Sequence, residues 1–153
     1  AQNNLGAMYA NGQGVRQDYL QAMEWYRKSA KQGYAPAQNN LGVMYDEGKG
    51  VRQDYAQASG WFLKAAEQGV ATAQFNLGVM YETGRGVRQD SAQAAQWFRK
   101  AAEQGDAYAQ HNLALMHVNG QGVPQNYKIA KEWLGKACAN GSQRSCYAYH
   151  ILD

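Results

Sequence analysis

Proline is almost missing from this sequence, with two in 153 residues, and cysteine is as rare, also with two. With hydrophobic residues at 45%, so little proline argues against a disordered chain. There is no long apolar run and the mean hydropathy is negative, so no membrane-spanning helix is expected. Nor is there a block of one charge. The net charge of +3 comes from Lys and Arg interspersed with acids, which speaks against a nucleic-acid or anionic-membrane partner. Of the three histidines, His111, His117 and His150, none lies three or four residues from another His. No metal site is therefore expected. No Ser-His-Asp spacing or carboxylate pair stands out, so neither catalytic residues nor a cofactor are expected.

What is present is repetition. Shifting the chain by 36 aligns Leu5, Leu41, Leu77 and Leu113, then Trp25, Trp61, Trp97 and Trp133, then Gly33, Gly69, Gly105 and Gly141. The units run 1–36, 37–72, 73–108 and 109–144, with 145–153 as a terminal half unit. Fixed self-similarity at this period marks a solenoid, in which each unit buries its apolar face on its neighbours. The chain is long enough for one domain that buries roughly two-thirds of its unfolded surface. No signal peptide is visible, but Ala1 stands at the repeat position of Ala37, inside a helix, so upstream residues are expected to have been removed.

Within the second unit, Ala37, Leu41, Met44 and Tyr45 recur at helical spacing behind Pro36, which predicts helix A over about 35–47. Gly48-Lys49-Gly50-Val51 ends it, and Gly-x-Gly-Val returns at Gly12, Gly84 and Gly120. These glycines follow a helix rather than a strand, and no Lys-Ser/Thr follows them, so they form a turn and not a phosphate loop. Asp54 with Gln57 reads as a capping pair for helix B over about 55–68, repeated by Asp18 with Gln21 and Asp90 with Gln93; Asn126 with Ile129 breaks it. Gly69 is the helix stop. Gly42 inside helix A returns as Gly6 and Gly78, with Ala114 in the fourth unit, and implies close helix contact. Met8, Met44, Met80 and Met116 share a core position, and the tryptophans read as packing. The fold class is all-α: an α/α superhelical solenoid of helix pairs.

The pattern A-Q-x-N-L-G-x-M-Y-x-x-G-x-G-V-x-x-D/N-Y-x-x-A-x-x-W-F/Y-x-K-A-A-x-x-G resembles the Sel1-like repeat, a relative of the tetratricopeptide repeat. The departures are His117 for Tyr9, Tyr45 and Tyr81, Ser91 for tyrosine, and Leu134 for an aromatic. The resemblance implies a non-catalytic adaptor that binds proteins or peptides, often in bacterial envelope or host-contact settings, with no catalytic residue.

Cys138 ends helix B of the fourth unit and Cys146 begins the terminal helix, so their side chains should converge. A metal pair would need two more ligands, and a disulfide is the expected reading. The same spacing resembles the cysteine-rich, secreted branch of Sel1-like proteins, which implies an oxidising, extracytoplasmic compartment. The alternative is a cytoplasmic adaptor with two incidental thiols. Asn140-Gly141-Ser142 fits a glycosylation sequon and equally a helix C-cap.

Positions identical in all units serve the stack, and positions that vary are free to serve a partner. On helix A, Asn39, Val43 and Asp46 lie opposite Leu41, and they correspond to Phe75, Val79 and Glu82 and to His111, Leu115 and Val118. Helix A lines the inner curve of the tetratricopeptide solenoids that the chain resembles, which implies that this column is the groove for a protein or peptide, with Phe75 either an exposed aromatic anchor or packed on Tyr108 or a neighbouring helix, and His111 on the variable surface. The unvarying Asn4, Asn40, Asn76 and Asn112 flank it, either to hold a peptide backbone or to link successive helices. Two rival functions stand beside this one. A hydrolase-type site hidden in the groove would show clustered, shifted titratable groups. A nucleic-acid or glycan binder would show a basic stripe or stacked exposed aromatics; Arg16, Arg52 and Arg88 at one loop position make a modest basic edge.

Overall fold

The computed structural model describes residues 1–152; Asp153, the last residue of the expected half unit, lies outside the described residues. Among the described residues there are α-helices and no strand. In chain order they are α1 (Gln2–Asn11), α2 (Tyr19–Lys31), α3 (Ala35–Glu47), α4 (Tyr55–Glu67), α5 (Ala71–Thr83), α6 (Ser91–Glu103), α7 (Ala107–Asn119), α8 (Tyr127–Ala139) and α9 (Gln143–Ile151). The odd-numbered helices through α7 are the A helices, the even-numbered ones are the B helices, and α9 is the terminal one. The fold class is the expected all-α solenoid of helix pairs.

Local chemistry explains the boundaries. Asp18, Asp54 and Asp90 accept the backbone N–H of Gln21, Gln57 and Gln93 at 3.1, 3.0 and 3.1 Å. Asn126 does the same for Ile129 at 3.0 Å, so the fourth unit keeps its cap although its sequence pair is broken. Each such cap stabilises its helix by about 1 kcal/mol. Gly48 closes α3 in the left-handed conformation, at φ 67°. The next glycine of the turn, Gly50, has a second reason to lack a side chain: a Cβ there would run into the backbone carbonyl of Tyr19. Gln53 ties the turn back by donating to the Asp46 carbonyl at 2.7 Å, and Gln17, Gln89 and Gln125 repeat the bond at 2.8 Å on Ala10, Glu82 and Val118.

The chain forms two compact units, Ala1–Ala73 with Arg85–Val87, and Gln74–Gly84 with Arg88–Asp153. In the first, α1 packs on α2, α2 on α3 and α3 on α4. Its core gathers Met23, Tyr26, Leu41 and Met44 among small alanines. Gly42 lets the Phe62 ring lie against the α3 backbone, and Gly6 does so for Tyr26. Gln38, 5% exposed, donates to the Ala30 carbonyl at 3.2 Å and accepts from Gln68 at 2.8 Å, so its buried amide stays paired.

In the second unit α6 packs on α7, α7 on α8 and α8 on α9. Phe98, Leu113 and Met116 lead its core, and Phe98 faces Gly78 as Phe62 faces Gly42. The fourth repeat solves the same contact differently: Ala114 restores the methyl group, and Leu134 replaces the ring. Gln110 repeats the role of Gln38, donating to Ala102 and accepting from Asn140 at 3.0 Å each. Asn140 is thus the helix C-cap residue with its amide engaged, beside Gly141 at φ 95°.

One packing expectation needs correction. Met44, Met80 and Met116 are buried, but Met8 is 36% exposed and is not core filler. The tryptophans are half-buried, and Trp61 and Trp133 pack against the core as expected. Trp25, Trp61, Trp97 and Trp133 each carry a lysine three residues on, Lys28, Lys64, Lys100 and Lys136, whose ammonium lies 4.6, 4.4, 4.3 and 4.4 Å from a ring centroid. One helical turn separates each pair, so the lysine stem lies along the indole and its charge meets the ring face. The deep aromatic position is the residue after each tryptophan, at Tyr26, Phe62 and Phe98.

Candidate functional site

In the first unit α3 presents Asn39, Asn40, Val43 and Asp46, all half-buried rather than fully exposed. Asn40 donates to Asn3 Oδ1 at 3.2 Å, which ties α3 to α1 and favours the linking role for this asparagine. Asn39 Oδ1 is buried and has no hydrogen-bond partner among the described residues. Burial pushes the Asp46 carboxyl above the usual carboxylate range, against the opposing pull of Arg85 and with the help of Glu47. A pocket of about 260 Å³ opens beside this face, with Ala10, Val43 and Met44 as apolar wall and Asn11, Asn40 and Tyr26 as polar lining. At its rim Lys49 and Glu47 form an ion pair at 2.6 Å.

In the second unit the column holds Phe75, Asn76, Val79, Glu82, His111 and Leu115, and two of these are covered by residues of other helices. Phe75 is no free anchor: its ring is half-buried, with its centroid 5.8 Å from Phe98 and 6.0 Å from Tyr108. His111 is only 7% exposed, and its Nδ1 lies 2.7 Å from Ser145 Oγ. The packing of Phe75 on Tyr108 is the alternative that the sequence offered, whereas the burial of His111 was not visible on the helical wheel of one helix, because the covering group comes from α9. Val79 and Glu82 are half-buried, and burial raises the Glu82 carboxyl above its usual range. Leu115, 40% exposed, is the apolar side chain of the column most open to solvent.

The His111–Ser145 pair is no nucleophile site. Ser145 has no exposed surface, and its hydroxyl lies between His111 and Ser142, each at 2.7 Å. Burial, and secondarily the Arg144 charge, hold the His111 imidazole below its ordinary value, so it is a neutral hydrogen-bonding link between α7 and α9. His117 is 3% exposed and meets the Pro124 carbonyl at 3.1 Å. Among the described residues no three His, Cys, Asp or Glu side chains gather as metal ligands would, and no helix is long and apolar enough to cross a membrane. Cys138 and Cys146 are joined as a disulfide, with Cα atoms 4.7 Å apart, which staples α8 to α9. Arg16, Arg52 and Arg88 are exposed on their loops.

Sequence reasoning passed over Tyr26. It occupies the position of Phe62 and Phe98, so its hydroxyl is an addition peculiar to the first repeat, and it faces the pocket described above. The signal was available: among the three aromatics at this position, only this one carries a polar atom.

Comparison with known proteins matches the chain to the Sel1 repeat model four times, over residues 1–34, 35–70, 71–106 and 107–142. No curated protein matches it. Among solved structures it is similar to a protective antigen present in uropathogenic Escherichia coli strains that displays an SLR fold. That match has 47% identity and a TM-score of 0.92, and covers 95% of this chain and 31% of that one. It is also similar to a Sel1 repeat protein from Oxalobacter formigenes, at 37% identity and a TM-score of 0.91, covering 97% and 60% of the two chains. Cysteine-rich protein B of Helicobacter pylori matches at 27% identity and a TM-score of 0.68, covering 90% of this chain and 99% of that one. The chain therefore spans about a third of the length of the first of these structures and 60% of the second.

Proposed function

The chain belongs to the Sel1 repeat family, whose members are generally protein-interaction scaffolds, and from that premise we propose that it is a non-catalytic scaffold for a protein or peptide. In this reading residues 1–153 work as one repeat domain, with units 1–36, 37–72, 73–108 and 109–144 and a closing half unit at 145–153. The ligand surface is, in the first compact unit, Asn39, Asn40, Val43 and Asp46 and, in the second, Asn76, Val79, Glu82 and Leu115. Phe75 and His111 support that surface from beneath. The observation that carries the reading is the exposure of Leu115 at 40% on a helix whose other face is buried at Leu113 and Met116. An open apolar side chain on a helix offers a partner apolar surface to remove from water.

The compartment in this reading is extracytoplasmic, in the bacterial envelope or at host contact. The Cys138–Cys146 disulfide supports it, because such bonds persist in oxidising surroundings. Similarity to a protective antigen and to a cysteine-rich protein adds to that support.

The test is affinity capture from the native source with the parent chain and a Glu82→Lys, Leu115→Asp variant. Both positions lie outside the buried core, so the helical signal and cooperative unfolding should persist while the captured partner is lost. Equal capture by the variant would move the ligand off this column, to the outer faces that carry Leu20 and Leu63.

A further inference from the structure

The pocket beside α3 holds a polar atom that the fold does not use. Tyr26 is 5% exposed, and its ring lies against the backbone of α1 at Gly6. Among the described residues nothing donates to or accepts from its hydroxyl, yet that oxygen is not among the sealed, unpaired buried atoms. What remains open on Tyr26 is therefore its hydroxyl, which lines the pocket of about 260 Å³. Phe62 and Phe98 fill the equivalent place without a hydroxyl, so packing alone does not call for one. Burial raises the phenol above its ordinary 10.0, which keeps it a neutral donor at physiological pH.

The rest of the lining narrows what can enter. Ala10, Val43 and Met44 suit a methylene stem, while Asn11 and Asn40 supply amides on the same wall. The charged groups there, Glu47 and Lys49, already neutralise each other at 2.6 Å. A charged ligand group would find no free counter-charge, and a purely apolar one would bury the phenol unpaired. We infer that this pocket is a subsite for a neutral amide side chain of a bound peptide, glutamine for the methylene stem that Ala10, Val43 and Met44 can cover, with the Tyr26 hydroxyl donating to its carbonyl oxygen. The inference rests on the peptide-scaffold reading and names the side chain that the first repeat would select.

The experiment uses the full chain and a capped pentapeptide, Gly-Ala-X-Ala-Gly, in which X is Gln, Leu, Glu or Lys. Binding is followed by the NMR shifts of the Asn11 and Asn40 side-chain amides at millimolar peptide. The glutamine peptide should bind about fivefold tighter than the leucine peptide, the worth of one net hydrogen bond. Tyr26→Phe restores the residue type of Phe62 and Phe98 and should leave the thermal midpoint unchanged while abolishing that preference. Equal binding of Gln and Leu peptides, tighter binding of Glu or Lys, a preference that survives Tyr26→Phe, or no shift at Asn11 and Asn40 would each overturn the subsite. If any of these is seen while the Glu82→Lys, Leu115→Asp variant still loses its captured partner, the subsite fails and the scaffold reading stands.

Discussion

Gly42 and Phe62 fit together so closely that a Cβ added to the glycine would stand 2.7 Å from the ring carbons Cδ1 and Cε1. The ring is 2% exposed, so its neighbours enclose it. The fourth repeat shows the permitted alternative, Ala114 against Leu134.

Gly42→Ala should therefore destabilise the protein by about 1–2 kcal/mol, because overpacking outweighs the gain of about 1 kcal/mol in helix propensity. Adding Phe62→Leu should return part of that loss, as the fourth repeat does naturally. Chemical denaturation of the two single variants and the double variant measures the coupling. Additive losses would show that the two positions do not share the space.

Glycines of the turns separate into two classes. Gly69 has positive φ and open space where a Cβ would point, so Gly69→Ala should cost about 1–2 kcal/mol from the left-handed backbone alone. Gly50→Ala adds a collision with the Tyr19 carbonyl, which cannot move without shifting α2, and should cost clearly more. Gly14, at the same turn position in the first repeat, has only the flexible tip of Met8 at 3.7 Å and should behave like Gly69. Melting temperatures of the three alanine variants test the order.

Reducing Cys138–Cys146 should lower stability by about 2–3 kcal/mol, the loop-closure value for so short a loop. The loss should fall first on α9, seen as faster amide exchange over 143–151 than over α7. A non-reducing mass that shows two free thiols in the native protein would count against the bond and against the extracytoplasmic assignment.

His111 makes stability depend on pH. Its folded value lies below the ordinary 6.5, from burial first and Arg144 second, so the unfolded chain binds more protons in the window just below 6.5. Stability is therefore full above that value and falls as the pH drops through it. His111→Asn keeps a hydrogen-bonding partner for Ser145 and should flatten this slope in thermal melts between about pH 7.5 and 5.5. An unchanged slope would assign the dependence to another group.

Glu82 acts with the opposite sign. Its folded value is raised above 4.5 by burial, so its contribution is favourable below 4.5 and is lost as the pH rises through the raised value. Glu82→Gln should raise the melting temperature at neutral pH, and the advantage should vanish near pH 4 or below, roughly where the carboxyl is protonated in both states. A stabilised variant that also binds its partner less well would show a groove carboxylate kept for binding at the expense of stability.

The helices and their ends were legible because they depend on neighbours a few residues away. Asp54 needs only Gln57, Gly48 needs only the end of α3, and period 36 returns both four times. The disulfide was equally legible, since Cys138 and Cys146 are separated by one helix junction. The same internal comparison could have singled out Gln38 and Gln110, which do not vary and prove to be buried links between helices.

Burial of the site residues was decided only in three dimensions. A helical wheel places Phe75, His111 and Trp61 by angle about their own axes, and says nothing of which groups from elsewhere in the chain will lie above them. Phe98 and Tyr108 cover Phe75, Ser145 reaches His111 from 34 residues away, and Lys64 lies over Trp61. Tyr26 makes the same point from the other side. Its sequence position determined that a large ring would fill the space against Gly6, while the packing of α1 and α3 around it decided that its hydroxyl would open on a pocket with no partner of its own.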